Sequence, residues 1–207
     1  MPVRSSSYLE GHDDAVAFGR RMAWFLNGEG FSCGAYPALY IQLTPTLQPG
    51  VIQITDEGGE WWQRYTYVGV PEGFPNVADS SEVVKSGTVA ALKAIRPDLV
   101  SVVENAERVV RVHGDNLRFL IKTRQTKRFI VELSCNIPVW KQPSYIFTSL
   151  TDLSSGAFLE APPLPIEGYI YAFDYNGPIR VTDIEKELSD FVPKTRPVMS
   201  KLVKRRG

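Results

Sequence analysis

The segment LRFLIKTRQTKRFIVELS, residues 117–134, decides the fold class of this chain. Apolar and charged side chains alternate along its first half, where Phe119 and Ile121 lie between Arg118 and Lys122. The second half repeats the alternation after a polar turn, and a period of two residues is typical of strands with one buried face. The segment therefore predicts a pair of antiparallel strands with one face in water.

Strand patterns continue on both sides of this pair. Upstream, RVVRV at 108–112 precedes a polar turn and is predicted to be a strand. Downstream, SYIFTSL at 144–150 and GYIYAFDY at 168–175 have the composition of strands, and the second turns into IRV at 179–181. The second half of the chain is therefore predicted to be mostly antiparallel sheet.

The first half mixes helices with strands. A helical period predicts one helix from Asp13 to Asn27 and another at about 80–95, where Asp79 and Glu82 resemble a capping box. Between these helices the strand patterns occur at 38–43, 51–55 and 60–70. The last two are predicted to form a hairpin across the sequence Asp-Glu-Gly-Gly.

These patterns predict an α+β fold with a predominantly antiparallel sheet, two main helices and a short C-terminal helix after Thr182. Residues 1–192 are predicted to form a single domain, and an alternative is two similar helix-plus-sheet halves that meet near residue 78. Residues 193–207 contain six basic side chains and no acidic one, and they are predicted to be a flexible basic tail.

Composition restricts the class of protein. The chain is 43% hydrophobic and 22% charged, which is close to the average for globular proteins. No stretch approaches the roughly 20 apolar residues that cross a bilayer, and two cysteines are too few for a disulfide framework. These features predict a cytoplasmic protein that does not contact membranes, and no motif indicates a cofactor or a bound metal.

Charge is unevenly distributed along a chain whose formal net charge is zero. Residues 107–128 hold seven basic and two acidic side chains, whereas residues 129–192 hold three and nine. On predicted strands the basic residues Arg111, Arg118, Lys122 and Arg128 would form a patch that faces outward. Such a patch can bind nucleic acid phosphates or an acidic protein surface.

Aromatic side chains are concentrated in the predicted strand at 60–70. The set expected to contact a partner there is Trp61, Trp62, Arg64, Tyr65 and Tyr67. Tryptophan, tyrosine and arginine are the residues that contribute most to binding energy at protein interfaces. Core packing is the alternative explanation for the same residues.

Residues able to carry catalysis are few. Cys33 could act as a nucleophile only if one of the two histidines, His12 or His113, folded beside it. The sequence therefore favours a protein-binding module that acts as an inhibitor, an immunity-type protein or a chaperone-like partner, and a basic protein would suit its acidic body. The alternatives are a nucleic-acid-associated protein that uses the 108–128 strands and the tail, and a hydrolase-type enzyme around Cys33 or acidic groups.

Overall fold

In a computed structural model the chain divides into two units, residues 1–114 and residues 115–207. The residues that this structure describes are 11–34, 36, 38–55, 60, 62–173, 179 and 188–203. The α+β class is confirmed, since both units contain helices and sheet strands that pair mostly in the antiparallel direction.

The described residues of the first unit form three α-helices and a three-stranded sheet. The elements are α1 (Asp13–Gly28), β1 (Ala38–Thr44), β2 (Ile52–Thr55), β3 (Gln63–Gly69), α2 (Ser80–Ile95) and α3 (Val100–His113). Strand β3 is central, with β1 parallel to it on one side and β2 antiparallel on the other. The predicted helices α1 and α2 and the predicted hairpin of β2 and β3 are confirmed.

Helix α2 covers one face of this sheet. A Cβ atom added at Gly87 would lie 3.2 Å from Val68 and 3.6 Å from Leu43, so the helix approaches the sheet closely there. On this face the side chains of Leu39, Thr66 and Val68 are buried. The opposite face of the sheet carries the side chains that alternate with these.

The prediction of a strand at 108–112 is wrong, because these residues form the last part of α3. Val103, Ala106 and Val110 are buried at intervals of three and four residues, which is the pattern of a helix with one apolar face. Arg108 donates to Asn105, three residues earlier, as neighbours on a helix surface do. The sequence RVVRV is rich in β-branched valine, which favours strands, but the longer segment has the helical period.

The predicted capping box at the start of α2 does not form. Asp79 is the N-cap residue, but its side chain makes no capping hydrogen bond, and its backbone is left-handed with φ of 57°. The carboxylate of Glu82 instead accepts hydrogen bonds from Ser86 and Arg111. The sequence pattern thus locates the helix correctly while its residues make other contacts.

The second unit is built on antiparallel strands. Its elements are β4 (Arg118–Gln125), β5 (Phe129–Asn136), β6 (Ser144–Asp152), β7 (Phe158–Glu160), β8 (Leu164–Ile166), α4 (Tyr169–Phe173) and β9 (Val192–Pro193). The strand order is β4, β5, β6, β7, β9, and β8 pairs with the other end of β6. On one face, Phe129, Val131 and Leu150 pack with Phe191 in an apolar cluster.

The prediction of a strand at 168–175 is also wrong within the described residues. Tyr169–Phe173 is a short helix, and the rings of Tyr169 and Phe173, four residues apart, are 6.1 Å from each other. Ala172 and Phe173 are buried, whereas Ile170 and Tyr171 are exposed. Adjacent residues that are buried together indicate a helix turn. Residues 182–187 of the predicted helix after Thr182 and most of the predicted strand at 179–181 lie outside the described residues. The described end of the predicted helix is a 3-10 turn, Leu188–Asp190, followed by β9.

A β-bulge between Leu120 and Lys122 changes which residues of β4 share a face. Leu120 pairs with Ser134, but Lys122 pairs with Leu133, the preceding residue of β5. An extra residue of this kind moves the side chains that follow it to the other side of the sheet. Arg118 and Lys122 therefore lie on opposite faces, and the prediction of a common outward face is wrong for them.

The predicted loose tail is, in its described part, attached to the sheet. The strap, defined as residues 194–203, runs from the edge of β7 to the edge of β4. Lys194 N donates to Phe158 O, while Ser200 N donates to Arg118 O and Val203 N to Leu120 O. Ser200 and Val203 are buried. A flexible tail is thus wrong for residues 193–203, because backbone hydrogen bonds and buried side chains attach them to the sheet.

Calorimetry can test whether the two units unfold together. The prediction that residues 1–192 form one cooperative unit stays a prediction. A single transition, with calorimetric and van't Hoff enthalpies that agree, is the expected result. Two separate transitions would show that residues 1–114 and 115–207 are independent domains.

Candidate functional site

The first candidate surface is the side of the β1–β3–β2 sheet that faces away from α2, here called the tyrosine face. Its side chains follow from the pairing register, in which Tyr40 is opposite Tyr65 and Gln42 is opposite Tyr67. No charged residue lies on this face of the described strands. The exposed and half-buried side chains of the face are Tyr40, Gln42, Thr44, Gln53, Thr55, Gln63, Tyr65 and Tyr67.

Contacts within the tyrosine face hold its rings in place. The rings of Tyr40 and Tyr65 are stacked with centroids 5.2 Å apart and planes inclined by 19°. The amide of Gln63 links their hydroxyls, because Gln63 Nε2 donates to Tyr40 Oη at 3.3 Å and Tyr65 Oη donates to Gln63 Oε1 at 2.9 Å. A surface ordered in this way loses little conformational entropy on binding.

The predicted aromatic set is only partly assembled here. Trp62 lies at one end of the tyrosine face, with its ring 6.3 Å from that of Tyr40. Arg64 is on the opposite side of the strand from Tyr65, and its guanidinium lies 5.3 Å from the ring centre of Tyr36. Trp61 is outside the described residues.

Arg111 belongs to the helical layer of the first unit, on α3. Its guanidinium donates to Glu82 at 2.6 Å and to Glu107 at 2.9 Å, and it lies 5.2 Å from the ring centre of Phe18. The hydrogen bond from Arg111 lowers the pKa of the Glu82 carboxyl below its usual range. Arg111 therefore stabilises contacts between helices, and its charge is already compensated.

Arg118 is an internal residue of the second unit. Its guanidinium donates to Glu160 at 2.6 Å and lies 3.4 Å from the ring centre of Phe147. Only 16% of the Arg118 side chain and 8% of that of Glu160 are exposed. The pair crosses from β4 to β7, so Arg118 is a structural residue of this sheet.

The remaining members of the predicted basic patch do not form one surface. Arg128 is exposed and lies 3.9 Å from Asp152, next to the turn between β4 and β5. Lys122 is half-buried beyond the bulge. Arg111 and Arg118 are already paired with carboxylates. The four residues therefore do not present a continuous patch of uncompensated positive charge.

Of the candidate residues for catalysis, Cys33 is buried and His12 contacts Ser80 and Phe74. Cys33 and Cys135 are both buried, and burial raises the pKa of the Cys135 thiol far above its ordinary value. His12 is 3.5 Å from Ser80 and stacks beside Phe74. In the described part of the chain, no three His, Cys, Asp or Glu side chains could hold a metal ion together.

Comparison with protein-family models, with curated proteins and with solved structures found no match for this chain. Among the described residues, no helix is both long enough and apolar enough to span a membrane. The surfaces of the protein itself therefore carry the evidence for its function.

Sequence reasoning missed Tyr40, Gln42 and Gln53 as members of the candidate site. The tyrosine and glutamine at alternate positions of β1 were a usable signal, since alternate residues of a strand share one face. Their position beside Tyr65 and Tyr67 depends on the parallel pairing of β1 with β3. That pairing joins segments that are distant along the chain, and no local pattern specifies it.

Proposed function

We propose that this protein is a protein-binding module and that the tyrosine face is its binding surface. The observation that supports this is the composition of the face, whose exposed and half-buried side chains are three tyrosines, three glutamines and two threonines, with no charge on the described strands. The central parts of protein interfaces are depleted of charged residues and enriched in tyrosine and tryptophan. Tyrosine also supplies a large contact area at low entropic cost.

The net charge of the first unit, which carries the tyrosine face, indicates the kind of partner. The first unit carries 9 basic and 13 acidic side chains, a net charge of −4, so it attracts a basic protein at long range. Charge of this kind accelerates association, while the uncharged face supplies the buried contact. An inhibitor, an immunity-type protein or a chaperone-like partner acts in this way, and a cytoplasmic location belongs to the same proposal.

Photo-crosslinking in the native host tests the proposal even though the partner is unidentified. Gln42 and Gln53 are both exposed on the tyrosine face, so a photoreactive amino acid at either position should give a discrete protein adduct. Gln125, which is exposed on β4 in the second unit, is the matched control position and should not give that adduct. Adducts that disappear after nuclease treatment would support the nucleic-acid alternative instead.

Once a partner is captured, Tyr65→Ala should weaken its binding by about 2 kcal/mol, roughly 30-fold in Kd. Tyr65 contacts both Tyr40 and Gln63, so its removal disorders the centre of the face. The control is Tyr171→Ala, because Tyr171 is 64% exposed and lies in the other unit. Titration calorimetry measures affinity, and a thermal melt of each variant measures stability.

Equal affinity of the Tyr65→Ala and Tyr171→Ala variants for the captured partner would contradict the proposal. So would a loss of affinity that is matched by a fall in melting temperature large enough to unfold the first unit. In that case the stacked rings of Tyr40 and Tyr65 would be packing residues and no more.

A further inference from the structure

A row of buried polar side chains lies on one face of the sheet in the second unit. Glu132 is the cross-strand neighbour of Ser149, Ser149 is the neighbour of Glu160, and Ser134 is two residues beyond Glu132 on the same side. We call these four residues the polar row. Ser134 and Ser149 are 0% exposed, and Glu132 is 5% exposed. A sheet face of this composition is unusual for a protein core.

Several atoms of the polar row have unused hydrogen-bonding capacity. Within the described residues, Glu132 Oε2, Ser134 Oγ and Ser149 Oγ are buried and have no hydrogen-bond partner. Buried polar groups in native proteins are nearly always satisfied, and each exception requires an explanation. The three atoms belong to neighbouring positions of one face, so a single group that donates hydrogen bonds could serve them.

The strap shows how an extended chain binds on this side of the sheet. Met199 of the strap forms a parallel bridge with Arg118 of β4, and the hydroxyl of Ser200 accepts a hydrogen bond from Leu120 N. Between its two attached ends, Arg196 donates to Glu132 Oε1 at 2.6 Å and to Thr151 Oγ1 at 3.3 Å. The strap thus combines backbone pairing at a sheet edge, as in strand addition, with a side-chain anchor, within one chain.

The strap does not satisfy the polar row. Arg196 uses only one oxygen of the Glu132 carboxylate, although a guanidinium can donate to both oxygens in a bidentate pair. The side chain of Arg196 is 48% exposed, so this anchor is not enclosed by the protein. The strap itself contains Lys194, Arg196 and Lys201 and no acidic residue.

We propose that the polar row and the edge of β4 form a binding site for an extended, arginine-bearing segment of a partner protein, and that the strap occupies this site until such a segment displaces it. The guanidinium of the partner would bind Glu132 and the serines beside it, and its backbone would pair with β4. Because the strap belongs to the same chain as the site, it competes with a partner segment at an effective concentration of about millimolar. The site is separate from the tyrosine face and does not depend on the function proposed for it.

The test uses the full chain and a fluorescent peptide, KTRPVMSKLV, which has the sequence of residues 194–203. Arg196→Ala in the protein weakens the strap, so the peptide should bind this variant at least about 10-fold more tightly than the unchanged protein. Adding Glu132→Gln to Arg196→Ala should abolish the gain, because the peptide arginine then loses its carboxylate. Anisotropy titrations measure all three affinities.

A peptide with the same residues in scrambled order is the control for simple charge attraction. The proposal is overturned if the scrambled peptide binds equally well, or if Arg196→Ala does not increase binding. It is also overturned if the Arg196→Ala variant forms dimers by itself on a sizing column, since the occupant would then be the strap of a second copy.

Hydrogen exchange is measured on the protein without substitutions. Its result therefore cannot arise from a variant that folds poorly. If the strap is displaceable, the amides of Ser200 and Val203 should exchange at least about 10-fold faster than those of Val131 and Leu150 in the centre of the sheet. Equal protection of the four amides would mean that the strap opens only when the whole unit unfolds, and it would refute the proposal.

Discussion

Replacing Arg118 with methionine should lower the free energy of unfolding by about 3–5 kcal/mol, because the change leaves the carboxylate of Glu160 buried without its partner. The guanidinium also covers the ring of Phe147, and that contact is lost together with the charge. Guanidinium chloride unfolding, followed by circular dichroism, measures the effect.

Two further variants separate charge from packing in this experiment. Arg118→Met combined with Glu160→Leu removes both charges and should recover most of the lost stability, since an apolar pair can replace a buried ion pair. Arg128→Met removes an exposed arginine 3.9 Å from Asp152 and should cost less than about 1 kcal/mol. If Arg118→Met and Arg128→Met behave alike, the Arg118 pair is no more important than a surface contact.

Gly69→Ala should destabilise the first unit by about 3 kcal/mol, because there is no room for a methyl group at this position. A Cβ atom there would meet the backbone carbonyl of Gln48, and backbone cannot rotate away as a side chain can. Gly69 also exchanges backbone hydrogen bonds with Gly50 and Val51, so the loop that precedes β2 is held against β3 at this point. Glycine within a strand often marks such a close approach of two backbones.

The matched control is Gly168→Ala, where the nearest atom to the added Cβ is a side-chain carbon of Tyr171 at 3.9 Å. That distance is an ordinary van der Waals contact, and the variant should change stability by less than about 1 kcal/mol. A fall in thermal midpoint that is equal for the two variants would show that the loop at 47–51 moves easily to accept the methyl group.

The sequence predicted the elements whose patterns extend over many residues. Helices α1 and α2 have a helical period over 16 residues each, and β4 and β5 alternate on both sides of a polar turn. The last part of α3 resembles a strand in sequence because Val109, Val110 and Val112 are β-branched and favour strands. Five residues cannot distinguish a period of two from a helical period when arginines are interspersed among the valines.

The candidate surfaces were harder to predict, because each depends on partners that are distant in the sequence. Tyr65 and Tyr67 were identified from their own strand, but Tyr40 joins them only through the parallel pairing of β1 with β3. The strap was predicted to be part of a loose tail because its sequence is basic and contains no acidic residue. The carboxylate that binds Arg196 belongs to Glu132, which lies 64 residues earlier in the sequence. The charges counted along a sequence do not show which side chains form ion pairs in the folded protein.

The pairing of the strap with β4 also has a consequence for the order of folding. Leu120 and Ser200 are 80 residues apart in the sequence, whereas β4 and β5 are joined by a short turn. Contacts between distant residues form late, because a long loop must close before they contribute. The outer edge of β4 therefore stays open in partly folded chains, and an open edge is where strands of different molecules pair and aggregate. During refolding at high protein concentration, we expect most of the loss to aggregation to occur while the edge of β4 is still unpaired.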